Sequence, residues 1–434
     1  MSVQFILHTG LLVFLFQCAC FSQQPQKALE KYISNKDSAY KAEVVNIVTN
    51  QQGRLYEVSL VSQTWQKINW THRLIIFFPE NAKYSNTLLL VLRHIYDRNQ
   101  ALASLKVISD STGTPSAILY DIPNQPLFNG KEEDDLQAYT FSRYINTGDE
   151  TWPILFPMVK SVTRAIDAIQ ALAEKEERST LSKFIVAGHS KRGHTSWLAA
   201  AVDSRIKGII PMAIDVLNAP LQLPHHLKMF GKFSTPSKDA TDFLSELKKP
   251  LGKSLIQMID PYSYKDSLAL PKLIVSASND DYFPTDALNL YWDGLKGAKS
   301  ILYLSDASHV RADSDPRINP TAFAFVRAIA IERTLPQLNW KWERSKQLLK
   351  LTINTDSTAT RAVLWQASSQ SKDFRESQWS SSSVKQIHNG SRRQFEIAVP
   401  GLGADNRLFY GEVEFEQNGH KFLLSTQIYR YSSN

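Results

Sequence analysis

The chain has 434 residues, enough for two domains or for one large domain with an appendage. Hydrophobic residues at 43%, aromatic at 11% and charged at 21% match an ordinary folded protein, which excludes wholesale disorder, collagen-like repeats and a polytopic membrane protein. Lys and Arg number 49 against 42 Asp and Glu, a formal charge of +7, yet no Lys/Arg block of the kind that tracks phosphates occurs, so nucleic acid is not expected as a partner.

Residues 5–21 (FILHTGLLVFLFQCACF) form an uncharged apolar stretch, shorter and more interrupted than a good spanning helix, and polar SQQPQK follows at once. This reads as a secretory signal over residues 1–22, with the small residues Cys20 and Ser22 at the minus-three and minus-one positions of a cut after Ser22. Both cysteines, Cys18 and Cys20, lie inside it, so the remaining 434 − 22 = 412 residues hold none and no disulfide is expected. The first residues lack the usual Lys or Arg, and Ala19-Cys20 can instead end a lipoprotein cleavage site with Cys20 acylated, although Gln17 fits that pattern poorly. The expected location is secreted or periplasmic and cell-envelope, with a membrane partner only if Cys20 is lipidated.

From about residue 40 to about residue 335, short apolar runs alternate with amphipathic segments, the pattern of a sheet covered by helices, and the expected class is α/β. Strands are predicted at Leu74–Phe78, Leu88–Leu92, Ala117–Tyr120, Lys183–Ala187, Ile206–Ile214, Lys272–Ser276 and Ser300–Leu304. Most are continuous apolar runs, which suit a mainly parallel sheet buried on both faces. Helical spacing is found at Met158–Lys175, Thr195–Val202, Thr285–Leu295 and Thr321–Glu332. Residues 219–264 carry few strong strands and read as a lid-like insertion.

After Leu335 the period shortens. LLKLTINT, TRAVLWQAS, RQFEIAVP, RLFYGEVEFE and KFLLSTQIYR alternate apolar and polar residues, with Asn-Gly turns at Asn389-Gly390 and Asn418-Gly419. A C-terminal β-sandwich (Ig-like) domain is predicted over residues 336–434, after a domain over 23–335. The serine cluster Ser380–Ser383 reads as a hairpin loop. Sequons stand at Asn69 and Asn389.

The chemistry is concentrated in Val186–Gly193 (VAGHSKRG), where an apolar strand ends, Ser190 sits on the turn and a helix pattern begins. That is the context a serine nucleophile needs. The usual glycine two residues after the serine is absent, Arg192 standing there and Gly193 one later. The competing reading of Ser190 is a helix N-cap. A hydrolase of this kind takes its acid and its histidine from later strand ends, in that order. After Lys272–Ser276 come Asp280 and Asp281, either able to accept the imidazole proton, Asp280 being favoured. Asp215, one strand earlier, is a third candidate acid, whose alternative is a buried hydrogen bond near Asn218. After the next strand, His309 is the expected general base. His189 and His194 flank the serine as pocket candidates, and His225-His226 lie in the insertion. No His/Cys/carboxylate set has metal-ligand spacing, so neither metal nor other cofactor is expected.

These residues lie in a chain that resembles the PhoPQ-activated pathogenicity-related protein family, with its autocrine proliferation repressor-like members. The resemblance is carried by Ser62–Trp65 with Trp70 and His72, by Ile122–Leu127, and by Glu133-Asp134 with Ala138–Thr140. Thr147–Asp149 with Trp152-Pro153, Gly188–Gly193, Ala201–Asp203 and Ile214–Asn218 extend it, as do Asp260–Tyr262, Pro271–Ile274 and Lys372–Arg375. It implies an α/β-hydrolase fold with a C-terminal β-sandwich, an elbow of the form Gly-x-Ser-Lys-Arg-Gly, and Ser190, Asp280 and His309 as nucleophile, acid and base. The chain departs from the family's Gly-Asp-Glu-Phe-Phe at Asn279–Phe283 (NDDYF). The resemblance carries no substrate with it.

Acyl transfer to water is the expected reaction, on a peptide, amide or ester bond. The oxyanion donors expected are the Lys191 amide and one amide from Arg93-His94, with a Lys191 or Arg192 side chain either assisting or simply paired with acids. The Gly-x-Ser-x-x-Gly spacing also resembles that of glucuronoyl esterases, which makes a carbohydrate ester one conceivable substrate. Trp65, Trp70 and Trp152 either line the pocket or pack the core. The alternative class is a secreted signalling or interaction protein built on a hydrolase scaffold.

Overall fold

The computed structural model describes residues 26–94, 96–176, 180–232, 245–345, 348–389, 392–400, 402–403 and 405–432. The N-terminal apolar stretch with Cys18 and Cys20 lies outside them, as do Gly390 and residues 233–244 of the insertion. Among the described residues no helix is long and apolar enough to cross a membrane.

The continuous apolar runs form the parallel part of one sheet. Strands β4 (Thr87–Leu92), β5 (Ser116–Leu119), β6 (Lys183–His189), β7 (Ile206–Met212), β8 (Lys272–Ala277) and β9 (Lys299–Leu304) lie in the order β5-β4-β6-β7-β8-β9, all parallel. Three long antiparallel strands, β1 (Lys41–Asn50), β2 (Gly53–Trp65) and β3 (Ile68–Pro79), extend it on the β5 side. Alternate residues of each strand enter different apolar clusters: Leu88, Leu90 and Val186 pack on one face, Leu89, Ile185 and Ala187 on the other. Both faces are therefore covered, which is why these strands carry no polar side. Helices α1 (Gln26–Ser34), α4 (Leu155–Lys175) and α5 (Lys191–Val202) cover the first face. Helices α2 (Arg98–Thr112) and α8 (Ile318–Ala330) cover the second. This is the α/β-hydrolase arrangement. Further helices are α3 (Glu133–Thr147) and, in the insertion between β7 and β8, α6 (Ala219–Phe230) and α7 (Pro250–Ile259).

Beyond α8 the alternating segments form two antiparallel sheets. One runs β10 (Asn339–Arg344), β11 (Leu348–Thr355), β15 (Arg392–Pro400), β14 (Lys385–Asn389). The other runs β13 (Ser380–Ser383), β12 (Ala359–Ser369), β16 (Asn406–Gln417), β17 (His420–Ser425), with β18 (Tyr429–Tyr431) also on β16. Leu351, Ile353 and Phe395 of the first sheet share one core with Leu364, Val413 and Phe415 of the second. Asn418 and Gly419, at φ 52° and 76°, make the two-residue hairpin turn that asparagine and glycine favour.

Two local expectations are corrected. Ser380–Ser383 is a strand paired with Val363–Gln366, because an edge strand asks only for backbone pairing and its four exposed side chains need no apolar partner. Thr285–Leu295 is not an α-helix but two short 3-10 turns, at Ala287–Leu290 and Trp292–Gly294. Asn289, Asp293 and Gly294 are weak helix formers, and the Asn289 side chain donates instead to the Ile428 carbonyl at 2.9 Å. The three antiparallel strands β1 to β3 and helices α1 to α3, apart from the Leu74–Phe78 stretch of β3, are elements the sequence reading did not name.

Helix α8 fits β7 closely: a Cβ on Gly208 would meet the Phe325 ring at 3.0 Å. Phe325 is 2% exposed. Phe325→Ala should destabilise the fold by about 3–5 kcal/mol, read from the shift of a urea unfolding midpoint with the slope unchanged.

Candidate active site

Ser190 joins β6 to α5 at φ 54°, ψ −128°, a backbone conformation that L-residues rarely hold. Two glycines permit it. A Cβ on Gly188 would stand 2.5 Å from the Arg192 carbonyl, and one on Gly193 would stand 2.8 Å from the Gly188 oxygen and from Ile214 Cγ2. The strand end and the first helical turn thus touch backbone to backbone, with the second glycine three residues after the serine. The Ser190 side chain makes no capping bond to α5. Its hydroxyl donates to His309 Nε2 at 3.0 Å.

His309 follows β9, and its Nδ1 donates to Asp280 Oδ2 at 2.8 Å. His309 is 6% and Asp280 4% exposed. The other Asp280 oxygen accepts from the amides of Tyr282 (2.7 Å) and Phe283 (3.1 Å), so the carboxylate ends a turn that aims it at the imidazole. Asp281 is exposed. Asp215 is buried and accepts from Ser276 Oγ (3.1 Å) and the Tyr291 hydroxyl (2.5 Å), the second of its two sequence readings with different partners. Burial, with Asp280 adding to it, pushes the Asp215 carboxyl up to about 6. The imidazole of His309 packs on two rings, Tyr282 at 4.5 Å and His189 at 4.9 Å centroid to centroid. His189 Nε2 donates to the His309 carbonyl at 2.8 Å, and burial followed by the facing His309 holds its pKa down.

The two cations after the serine are committed to acids. Lys191 Nζ binds Glu133 Oε2 (2.5 Å) and Asp134 Oδ1 (2.8 Å), while Arg192 binds Glu133 Oε1 (2.5 Å) and the Ile122 carbonyl (2.7 Å). Burial alone would raise Glu133, but Arg192 and Lys191 outweigh it and hold the carboxyl at about 2. Gln125 bridges from Glu133 to the His94 ring, each at 2.9 Å. His94 is held below its ordinary value by burial and then by Arg192. Of the expected oxyanion donors, the Arg93 amide is already used by the Leu119 carbonyl at 2.9 Å, and its side chain pairs with Asp313. It is in the sheet ladder and not at the site. The Lys191 amide is the first of α5 and has no acceptor within the helix.

The other expected pocket residues have structural places. His194 is buried, its Nε2 donating to the Ile259 carbonyl at 2.6 Å, and burial lowers it to about 4. It fastens the insertion to α5. His225 binds Asp286, which also holds Arg430. Trp65, Trp70 and Trp152 pack edge-on in the core, Trp65 to Trp70 at 5.4 Å and to Trp152 at 6.1 Å. Among the described residues no three His, Cys, Asp or Glu side chains converge as a metal set. Tyr282, Glu133 and Asp134 were not singled out for a role by sequence reasoning. Their positions depend on α3 and the acid loop meeting across the sheet end.

A family model described as PhoPQ-activated pathogenicity-related protein matches residues 29–375. Autocrine proliferation repressor protein A of Dictyostelium discoideum is 29% identical over 344 residues, 75% of this chain and 69% of that protein. Among solved structures, acetyl xylan esterase 1 of Thermoanaerobacterium is similar at TM-score 0.41 and 11% identity, over 66% of this chain and 88% of that one. A glucuronoyl esterase of Solibacter usitatus is similar at TM-score 0.39 and 12% identity, over 65% and 88%.

Asp215 binds its proton more tightly in the folded protein than in the unfolded chain, where the ordinary value is 3.8. Its contribution to stability is complete below about pH 4 and is lost as the pH rises through about 6. Asp215→Asn, which cannot ionise, should therefore unfold at a higher temperature than wild type at pH 8, and the difference should shrink towards pH 4, in thermal melts across that range.

Proposed function

The chain belongs to the PhoPQ-activated pathogenicity-related protein family, and we propose that it is a serine hydrolase transferring an acyl group to water. The observation that carries this is the line of hydrogen bonds from Ser190 through His309 to Asp280 at the head of the strained strand-to-helix turn. His309 Nε2 takes the Ser190 proton as the oxygen attacks the substrate carbonyl. Asp280 stays ionised, fixes the tautomer with Nδ1–H and stabilises the imidazolium. The Lys191 and His94 amides receive the oxyanion. His309 then returns the proton to the leaving alcohol or amine, and water repeats the sequence to release the acid and restore Ser190.

The ion-paired state of Lys191 and Arg192 favours a structural role for these cations over direct contact with the oxyanion. The bond cleaved is an ester or a peptide amide, with a carbohydrate ester among the candidates. The uncharged stretch at residues 5–21 supports action outside the cytoplasm. A second reading, a signalling protein on a hydrolase scaffold, is favoured by the name of the Dictyostelium relative, a proliferation repressor.

A fluorophosphonate probe separates the two. The full chain should label, and Ser190→Ala should not. On a 4-nitrophenyl ester, Asp280→Asn should lose about four orders of magnitude in kcat, whereas Asp215→Asn should stay within about threefold of wild type. A folded wild-type chain that does not label overturns the hydrolase reading and leaves the signalling one.

A further inference from the structure

The segment between β12 and β13, residues 370–379, leaves the C-terminal sheets and lies against the two loops that carry Asp280 and His309. The Asn279 side-chain amide donates to the carbonyls of Ser377 (2.7 Å) and Arg375 (3.0 Å), with the Phe374 carbonyl at 3.4 Å. On the neighbouring loop the Asp306 carboxylate accepts from the Trp379 amide at 2.9 Å. The two loops are tied to each other at the same place. The Asn279 amide donates to the Ala307 carbonyl (3.0 Å), the Ser278 hydroxyl to Asn279 Oδ1 (2.6 Å), and the Asp306 amide to Ser278 Oγ (2.9 Å). Phe374 and Trp379 are 1% and 6% exposed, and Trp379 packs on Tyr410, which packs on Tyr303 of β9.

An Asn amide carries two N–H donors, and here they meet main-chain carbonyls of a partly exposed turn that is closed by the Ser377 amide donating to the Phe374 carbonyl at 3.1 Å. The contact is therefore directional. Asn279 is one residue from Asp280, and Asp306 is three residues from His309 at φ 57°, so a shift of residues 374–379 moves both partners of the acid–base pair. The family match continues past the parallel sheet and through three C-terminal strands to Arg375, inside this segment.

We propose that Asn279 is a positioning residue for the acid–base pair, and that the C-terminal domain is through it a working part of the active-site scaffold. The inference rests on the hydrolase reading. It is tested with the full chain carrying Asn279→Ala and, on the second arm of the clamp, Asp306→Ala. Two quantities are read: turnover of a 4-nitrophenyl ester, and the low-field proton resonance of the His309 Nδ1–H···Asp280 bond, identified by its loss in His309→Gln. Either variant should lower kcat about 10- to 100-fold with KM within about threefold, and should shift or broaden the resonance. Asn279→Asp, similar in shape but without the N–H donors, should not restore either. A folded clamp variant with wild-type kcat and an unchanged resonance overturns the proposal. If Asn279→Ala does not fold, Asp306→Ala decides by the same two readings. If the wild type fails to label with fluorophosphonate, the hydrolase reading is lost, while the resonance in the variants still decides whether the clamp holds the pair.

Discussion

Everything at the candidate site depends on the backbone contact between the end of β6 and the first turn of α5. Gly188 and Gly193 remove the side chains that would separate the two segments, and only then does Ser190 take φ 54°, ψ −128°. Such a conformation is unfavourable by about 1–3 kcal/mol and persists where surrounding structure over-determines it. Here that structure is the parallel pair of β6 with β4 and β7 and the Ser190 amide bonded to the Met212 carbonyl at 2.8 Å. The strain has a chemical consequence. A serine at this N-cap position with extended backbone angles would direct its hydroxyl to the amides of the first turn as a cap, whereas this turn presents it to His309.

A second constraint anchors the head of α5. Lys191 and Arg192 are 6% and 8% exposed, and charges at that depth are tolerated only when paired. Glu133 and Asp134 supply the partners from the first turn of α3, where carboxylates also meet the positive end of the helix dipole. Removing one member would leave an unpaired buried charge, a loss of about 3–5 kcal/mol where such pairs are fully buried, and less here because the Glu133 and Asp134 side chains are more than a third exposed. The cluster thus fixes α3 against the Ser190 turn, and the cations that looked available to an oxyanion are held by it.

The parallel strands were legible because burial on both faces leaves a continuous apolar run that no exposed element can carry. Ser190, Asp280 and His309 were legible as candidates for the same topological reason, since each follows the C-terminal end of such a strand, and those ends lie side by side. Antiparallel β1 was not, because its ten side chains are exposed and its sequence has no buried face to alternate against. The Arg93 amide was misplaced as a donor because an apolar run does not say where the ladder stops: β4 ends at Leu92 by pattern, but one further amide pairs with β5. The 3-10 turns after Pro284 were hidden by apolar spacing that Tyr291 and Trp292 satisfy in either conformation.

The C-terminal sheets show why such limits fall where they do. Their alternation is complete within residues 348–430, so nothing local requires the helix-covered sheet. Yet Leu349 and Phe415 share a core with Phe325 of α8, and the Tyr303 amide donates to Ser425 Oγ at 3.0 Å. The bond from Asn279 to the Ser377 carbonyl spans 98 residues of sequence, and neither residue type announces it. A polar side chain that satisfies distant main-chain carbonyls leaves no periodicity to read, because its specificity lies in the geometry of the acceptors. Candidate groups at strand ends can be found by their order, but the contacts that fix their angles belong to whichever segment packs behind them, and in this fold that segment comes from between two strands of the C-terminal sheets.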